Sequence, residues 1–131
     1  MRTRFHPGSA PPTDGPVVVS YTEFTARRLW QLPGIAWAGF GLRRGWWAMP
    51  GALGVVLYVD VRARRGGSMS AWSSAEDLRR FVALPRHVAI MRRYRTRVSV
   101  RATTWTTEGF RPGAAFAEGR ARLATAREPV A

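Results

Sequence analysis

Apolar periodicity is strongest between Val17 and Thr107, and it changes character along that stretch. Val17-Val18-Val19-Ser20-Tyr21-Thr22-Glu23-Phe24 is β-branched and aromatic and predicts a strand. Thr25 is placed to cap the next element. From Ala26 to Gly41 the residues Leu29, Trp30, Leu32, Ile35, Ala36 and Phe40 recur at helical spacing, with Pro33 expected to divide the run into two pieces. Gly45-Trp46-Trp47-Ala48-Met49-Pro50-Gly51 reads as an aromatic loop. Ala52 to Val61 is the strongest strand signal, with Leu53, Val55, Leu57, Val59 and Val61 on one face and Val56 and Tyr58 on the other. Ala63 to Gly67 predicts a turn in which Gly66-Gly67 supplies positive φ, and Ser68 to Trp72 returns as a short strand. Ser73 with Glu76 has the spacing of a capping box, opening a helix that runs to Val82. Leu84-Pro85 interrupts it, and a second helical piece runs from Pro85 to Arg95. Val98 to Thr106 alternates and closes the set as a last strand.

Strand, helix, strand, strand, helix, strand is the order of a ferredoxin-like α+β domain. It predicts a four-stranded antiparallel sheet with its helices on one face. Such a sheet leaves a second apolar face to hide, so a homodimer packed sheet against sheet is expected. The domain is bounded at 17–108. Residues 1–16 are read as a flexible arm because turn formers crowd there without apolar periodicity. Residues 109–131 are read as a tail, disordered or weakly helical from Ala114 to Arg127, since their apolar face is thin.

Composition sharpens this picture. The 131 residues suit one domain, and 46% apolar content can fill a core. With no cysteine, disulfide scaffolds, thiolate metal sites and cysteine nucleophiles are excluded. No apolar run reaches membrane-spanning length and residues 1–16 lack the apolar region of a secretory signal, so a cytoplasmic protein is expected. The net charge is +13, and all 21 basic residues are arginine. Asparagine is absent too, so GC-rich coding accounts for the choice of arginine but not for the excess of charge. The arginines come as spread pairs (27/28, 43/44, 64/65, 79/80 and 92/93), the pattern of a solvated surface rather than of one basic patch.

Met69 to Tyr94 resembles the second half of dimeric α+β barrel proteins. More narrowly, it resembles the branch that contains spheroidene monooxygenase. The residues that carry this are Ser70 and Trp72 at a strand end, Phe81 at a helix end, then His87 and Met91. Gly39-Phe40-Gly41-Leu42-Arg43-Arg44 resembles the segment after the first helix of that branch, and the likeness spans roughly Val17 to Trp105. After Tyr94 this chain has Arg95-Thr96-Arg97-Val98, where relatives carry aromatic and acidic residues. The resemblance implies a barrel of two sheets with a pocket in each protomer between sheet and helices. It also implies membership of a superfamily of cofactor-free oxygenases, haem-degrading enzymes, isomerases and small binding proteins.

His87 is the histidine inside the folded region, on a helix face shared with Ile90, Met91 and Tyr94. A neutral imidazole there can serve as a general base or ligate a haem, and it can equally be a core histidine bonded to a carbonyl. Trp72, Phe81, Met91 and Tyr94 are expected to line a pocket for a hydrophobic or aromatic small molecule, with Trp46 and Trp47 at its rim. No spacing supports a metal site or a phosphate loop. The reading is a monooxygenase-like protein with His87 as catalytic residue or haem ligand. Two alternatives stand beside it, a non-catalytic ligand-binding homodimer and a basic binder of nucleic acid or anionic surfaces.

Overall fold

A computed structural model describes residues 2–44 and 49–125, with backbone alone for 43 and 44. Five strands form one antiparallel sheet: β1 (His6–Pro7), β2 (Val17–Ala26), β3 (Ala52–Asp60), β4 (Arg65–Trp72) and β5 (Val98–Thr107), in the order β1-β3-β4-β2-β5. The helices are α1 (Leu32–Arg44), α2 (Ala75–Val82), α3 (Pro85–Tyr94) and α4 (Pro112–Thr125), with a 3₁₀ turn at Leu29–Gln31 before α1. The inner strands have the ferredoxin-like order. The expected four-stranded sheet gains a fifth strand from residues 1–16, the segment read as an arm. Backbone bonds join Thr3 to Leu57, Gly8 to Leu53 and Ala10 to Ala52, so this segment runs along the edge of β3.

Alternation sorts β2 between two cores. Val18, Ala52, Val55 and Trp72 pack with Leu78 and Phe81 under α2, while Ala26, Leu32, Ile35 and Val98 pack with Phe24 and Tyr94 under α1 and α3. On the opposite face Val17, Val19, Tyr21, Val56, Met69, Ala71 and Trp105 pack with Ala115, Phe116 and Leu123 of α4. The residues read as a thin tail therefore cover part of the face for which a second copy was expected. Gly119 is what lets α4 settle: a Cβ there would fall inside the Tyr21 ring.

Three local expectations shift. A register irregularity between Ala52 and Gly54 moves Leu53 to the α4 face with Val56. The β3–β4 turn lies before the glycines, with Arg64 at φ 55°, while Gly66 and Gly67 sit inside β4. They are there for space, since a Cβ on Gly67 would strike the Thr22 carbonyl and one on Gly66 the Phe24 ring. The cap of α2 is Ser74, one residue beyond the expected Ser73: its Oγ accepts from the Asp77 amide at 3.1 Å. No helix among the described residues is long and apolar enough to cross a membrane.

Candidate functional site

The residues that carry the resemblance form a column under the helices. Ser70 and Trp72 share a face of β4, and the indole N–H donates to Ser70 Oγ at 2.9 Å, which explains their spacing of two. Trp72 is fully buried, and the Phe81 ring lies 5.2 Å from it. His87 lies a further 4.9 Å from Phe81, and its Nδ1 donates to the Val82 carbonyl at 3.1 Å. Burial lowers the His87 pKa, and the Val82 bond opposes this less strongly. Tyr94 packs beside Ala26, Leu32 and Ile35, away from the column. Met91, four residues along α3 from His87, is 43% exposed and not enclosed as a pocket wall. Trp46 and Trp47 lie outside the described residues.

Between the sheet and α1 lies a slot of about 40 Å³, bounded by Phe24, Ile35, Phe40 and Leu57. Small-molecule sites run to roughly 300 Å³ and more, so the slot is too small for a ligand. Neither it nor a larger groove on the opposite face of the sheet is lined by Trp72, Phe81, His87, Met91 or Tyr94. His87 lines neither of these two spaces, so neither would bring a porphyrin to it. Among the described residues no three of His, Asp and Glu converge as metal ligands.

Ligand-sized space lies on that opposite face. A groove of about 1190 Å³ lies between the described part of α4 and the β3–β4 hairpin. Its floor is aromatic: the Tyr21 and Tyr58 rings lie 5.8 Å apart, and Phe116 stands edge-on to Tyr58 at 5.3 Å. Five arginines line it, Arg2, Arg62, Arg65, Arg101 and Arg120, against two carboxylates, Glu23 and Asp60. Arg2 reaches it because the N-terminal segment bridges to Tyr58, and its guanidinium lies 4.5 Å from the centre of the Phe116 ring. Arg101 fixes the far wall, donating to the Leu123 carbonyl at 3.1 Å and standing 3.8 Å from Glu23. The Glu23 side chain is 13% exposed.

Two tyrosines give the groove its acid–base character. The Tyr58 hydroxyl is buried without a well-formed hydrogen bond. Desolvation, and then the neighbouring Tyr21 hydroxyl, push its pKa far above the ordinary tyrosine range. Desolvation raises Tyr21 as well. Both stay protonated, so Tyr58, whose hydroxyl faces that of Tyr21, is a buried donor at the edge of a cationic cleft. Sequence reading missed this group because its members are scattered from Arg2 to Ala124. The one local signal was Glu23 on the same strand face as Tyr21.

No family model matches the chain, and no curated protein matches it by sequence. Solved structures do match. A candidate antibiotic biosynthesis monooxygenase from Deinococcus radiodurans aligns over 67% of this chain and 89% of its own, with TM-score 0.60 and 13% identity. A second such candidate, from Nitrosomonas europaea, aligns over 78% and 98%, with TM-score 0.60 and 10% identity. SnoaB, a cofactor-independent oxygenase from Streptomyces nogalater, aligns over 73% and 97%, with TM-score 0.56 and 16% identity. Likeness at this identity shows the fold. The chain has a ferredoxin-like α+β fold, the fold also of these neighbours, and the spheroidene monooxygenase branch is not singled out. These neighbours are almost fully covered while up to a third of this chain is not, so it carries residues beyond the shared fold.

Proposed function

We propose that this chain is a monooxygenase-like protein that binds an aromatic small molecule with an acidic hydroxyl or carboxylate in the groove of the α4 face. The observation that supports it is the aromatic floor of Tyr21, Tyr58 and Phe116 beneath five arginines, in a cleft of ligand size. A planar ring would lie on that floor, its oxyanion among the guanidiniums. Tyr58 would donate to a second oxygen. Glu23, the most enclosed carboxylate of the groove, would take the proton. For a substrate with an activated CH₂, deprotonation leaves an enolate that reacts with O₂. One oxygen atom enters as C=O and the other leaves as water, so no external reductant is consumed. The fold neighbours support oxygenation as the class of reaction.

The test has two arms. Titration of the full chain with an anthraquinone carboxylate and with uncharged anthraquinone should give saturable binding, at least about tenfold tighter for the anion. O₂ uptake with a dihydroxyanthrone should be lost in Glu23→Gln while anion binding survives. Saturable binding with no uptake in the wild type would leave a non-catalytic binding protein. Equal affinity for charged and neutral rings would overturn the groove assignment.

The homodimer enters this reading in a reduced role. Part of the face that a second copy was expected to cover is covered by α4, and the groove residues named here come from within a single protomer. One ligand per chain is expected whatever the mass in light scattering.

A further inference from the structure

The Leu29–Gln31 turn and the outer stripe of α1 present apolar side chains that no part of the described chain covers. Gln31 is buried, and its Oε1 accepts from the Arg28 amide at 3.2 Å. That bond fixes the turn with Leu29 and Trp30 pointing outward, 52% and 68% exposed. Pro33 and Trp37 follow on α1, both exposed, with Trp37 75% exposed. Trp30 lies in the 3₁₀ turn and Trp37 in the second turn of α1, so two exposed indoles stand on neighbouring turns of this segment. A single exposed tryptophan is ordinary. Two on neighbouring turns, with an exposed leucine beside the first, make a patch that asks for an occupant.

Charge says which occupant. No acidic residue occurs between Phe24 and Val59, or between Leu78 and Thr107. The Arg27 amide donates to the Arg97 carbonyl at 3.0 Å, and the Arg64 guanidinium donates to the Arg27 carbonyl at 3.1 Å. Arg27, Arg28, Arg64 and Arg97 therefore gather at the root of the turn. None of them has a carboxylate partner among the described residues. Helix α3 lies alongside α1, with Arg86 donating to the Gly41 carbonyl at 3.2 Å, and it exposes Met91, Arg92 and Arg93. Indole and aliphatic groups ringed by arginine match a negatively charged bilayer surface, where tryptophan sits at the headgroup level and each nearby arginine adds attraction. A second copy using the same face would bring arginine against arginine. A nucleic acid would use the arginines but leave Leu29 and Met91 in water, and an outward helix stripe offers no groove to track a strand.

We infer that the Leu29–Trp37 surface docks this protein on anionic lipid bilayers. Flotation of the full chain with phosphatidylcholine vesicles carrying one part in three phosphatidylglycerol tests this, with pure phosphatidylcholine as reference. Binding is expected to the charged vesicles alone and to weaken as salt rises. Trp30→Ser with Trp37→Ser should lower it at least about tenfold at an unchanged melting temperature, and so should Arg27→Gln with Arg28→Gln. Brominated lipid should quench the wild type more than the double tryptophan variant. Equal binding to neutral vesicles, or undiminished binding of the tryptophan variant, overturns the inference. So does a tryptophan-dependent dimer in light scattering, or oligonucleotide binding that depends on the same four residues while vesicles fail to bind.

Discussion

One face of the sheet lies under α1, α2 and α3, and a slot of about 40 Å³ lies there among the described residues. The other face has one helix across part of it and keeps a groove of about 1190 Å³. The same strand serves both, since alternate residues of β2 point each way. Coverage therefore decides where a ligand can go. Under three helices, large side chains fill the space and polar atoms find partners, as Trp72 finds Ser70. Under one helix, aromatic rings stay open and arginines from four separate segments converge. The first face is organised for stability and the second for binding.

That contrast is broken most severely at Trp72. Trp72→Ala removes a fully buried ring from between β4 and α2, and it should destabilise the protein by about 3–5 kcal/mol in denaturant unfolding. If the two faces divide their roles, Trp72→Phe will lower the unfolding midpoint and leave anthraquinone carboxylate affinity in the groove near wild type. A loss of affinity matching the loss of stability would join the two faces again.

The second break is on the open side. Gly119→Ala places a methyl group where the Tyr21 ring lies, so α4 must lift or the ring must move. Overpacking of this kind costs about 1–3 kcal/mol. Unlike Trp72→Phe, it should abolish anion binding, because Phe116 and Arg120 travel with α4. Calorimetric titration of both variants beside the wild type compares the two faces directly.

How much of the molecule could be read beforehand depended on how local each signal was. β2, β3, β5, α2 and α3 follow from runs of a few residues, and the sequence order of the strands already carries the sheet order. The fifth strand was hidden because residues 2–10 pair by backbone bonds to β3, which need no apolar pattern. α4 was hidden because its buried face is Ala115, Phe116, Gly119 and Leu123, two of them too small to register as hydrophobic. Gly66-Gly67 was read as a turn because glycine more often serves conformation than close approach. The groove was illegible for a different reason: no window of sequence holds Arg2, Arg62, Arg101 and Arg120 together.

A smaller adjustment sharpens the reading of the hairpin beside the groove. Arg64 holds φ 55°, a left-handed conformation that glycine adopts without strain. Arg64→Gly should raise stability by about 0.5–1 kcal/mol, seen as a higher midpoint in thermal unfolding. The same change removes a guanidinium from the root of the Leu29–Gln31 turn, so vesicle binding should fall as stability rises. A variant that gains stability and keeps full vesicle binding would place Arg64 outside the docking surface.

The smallest effect separates His87 as a packed group from His87 as a working one. Its pKa lies below the ordinary 6.5 because burial beside Phe81 disfavours the imidazolium. The unfolded chain therefore binds a proton at a higher pH than the folded chain does. Stability is full above the unfolded value and falls as pH drops from there through the folded value, below which both states are protonated and the slope vanishes. His87→Gln has no titrating ring and should flatten this part of the stability curve, while groove binding, on the opposite face, should not change. Melting temperatures of the two proteins between neutral and mildly acidic pH, with ligand titrations at the same points, test both halves. If the pH slope and the groove affinity shift together in His87→Gln, the sheet transmits between its faces, and the division of roles between them fails at its most sensitive point.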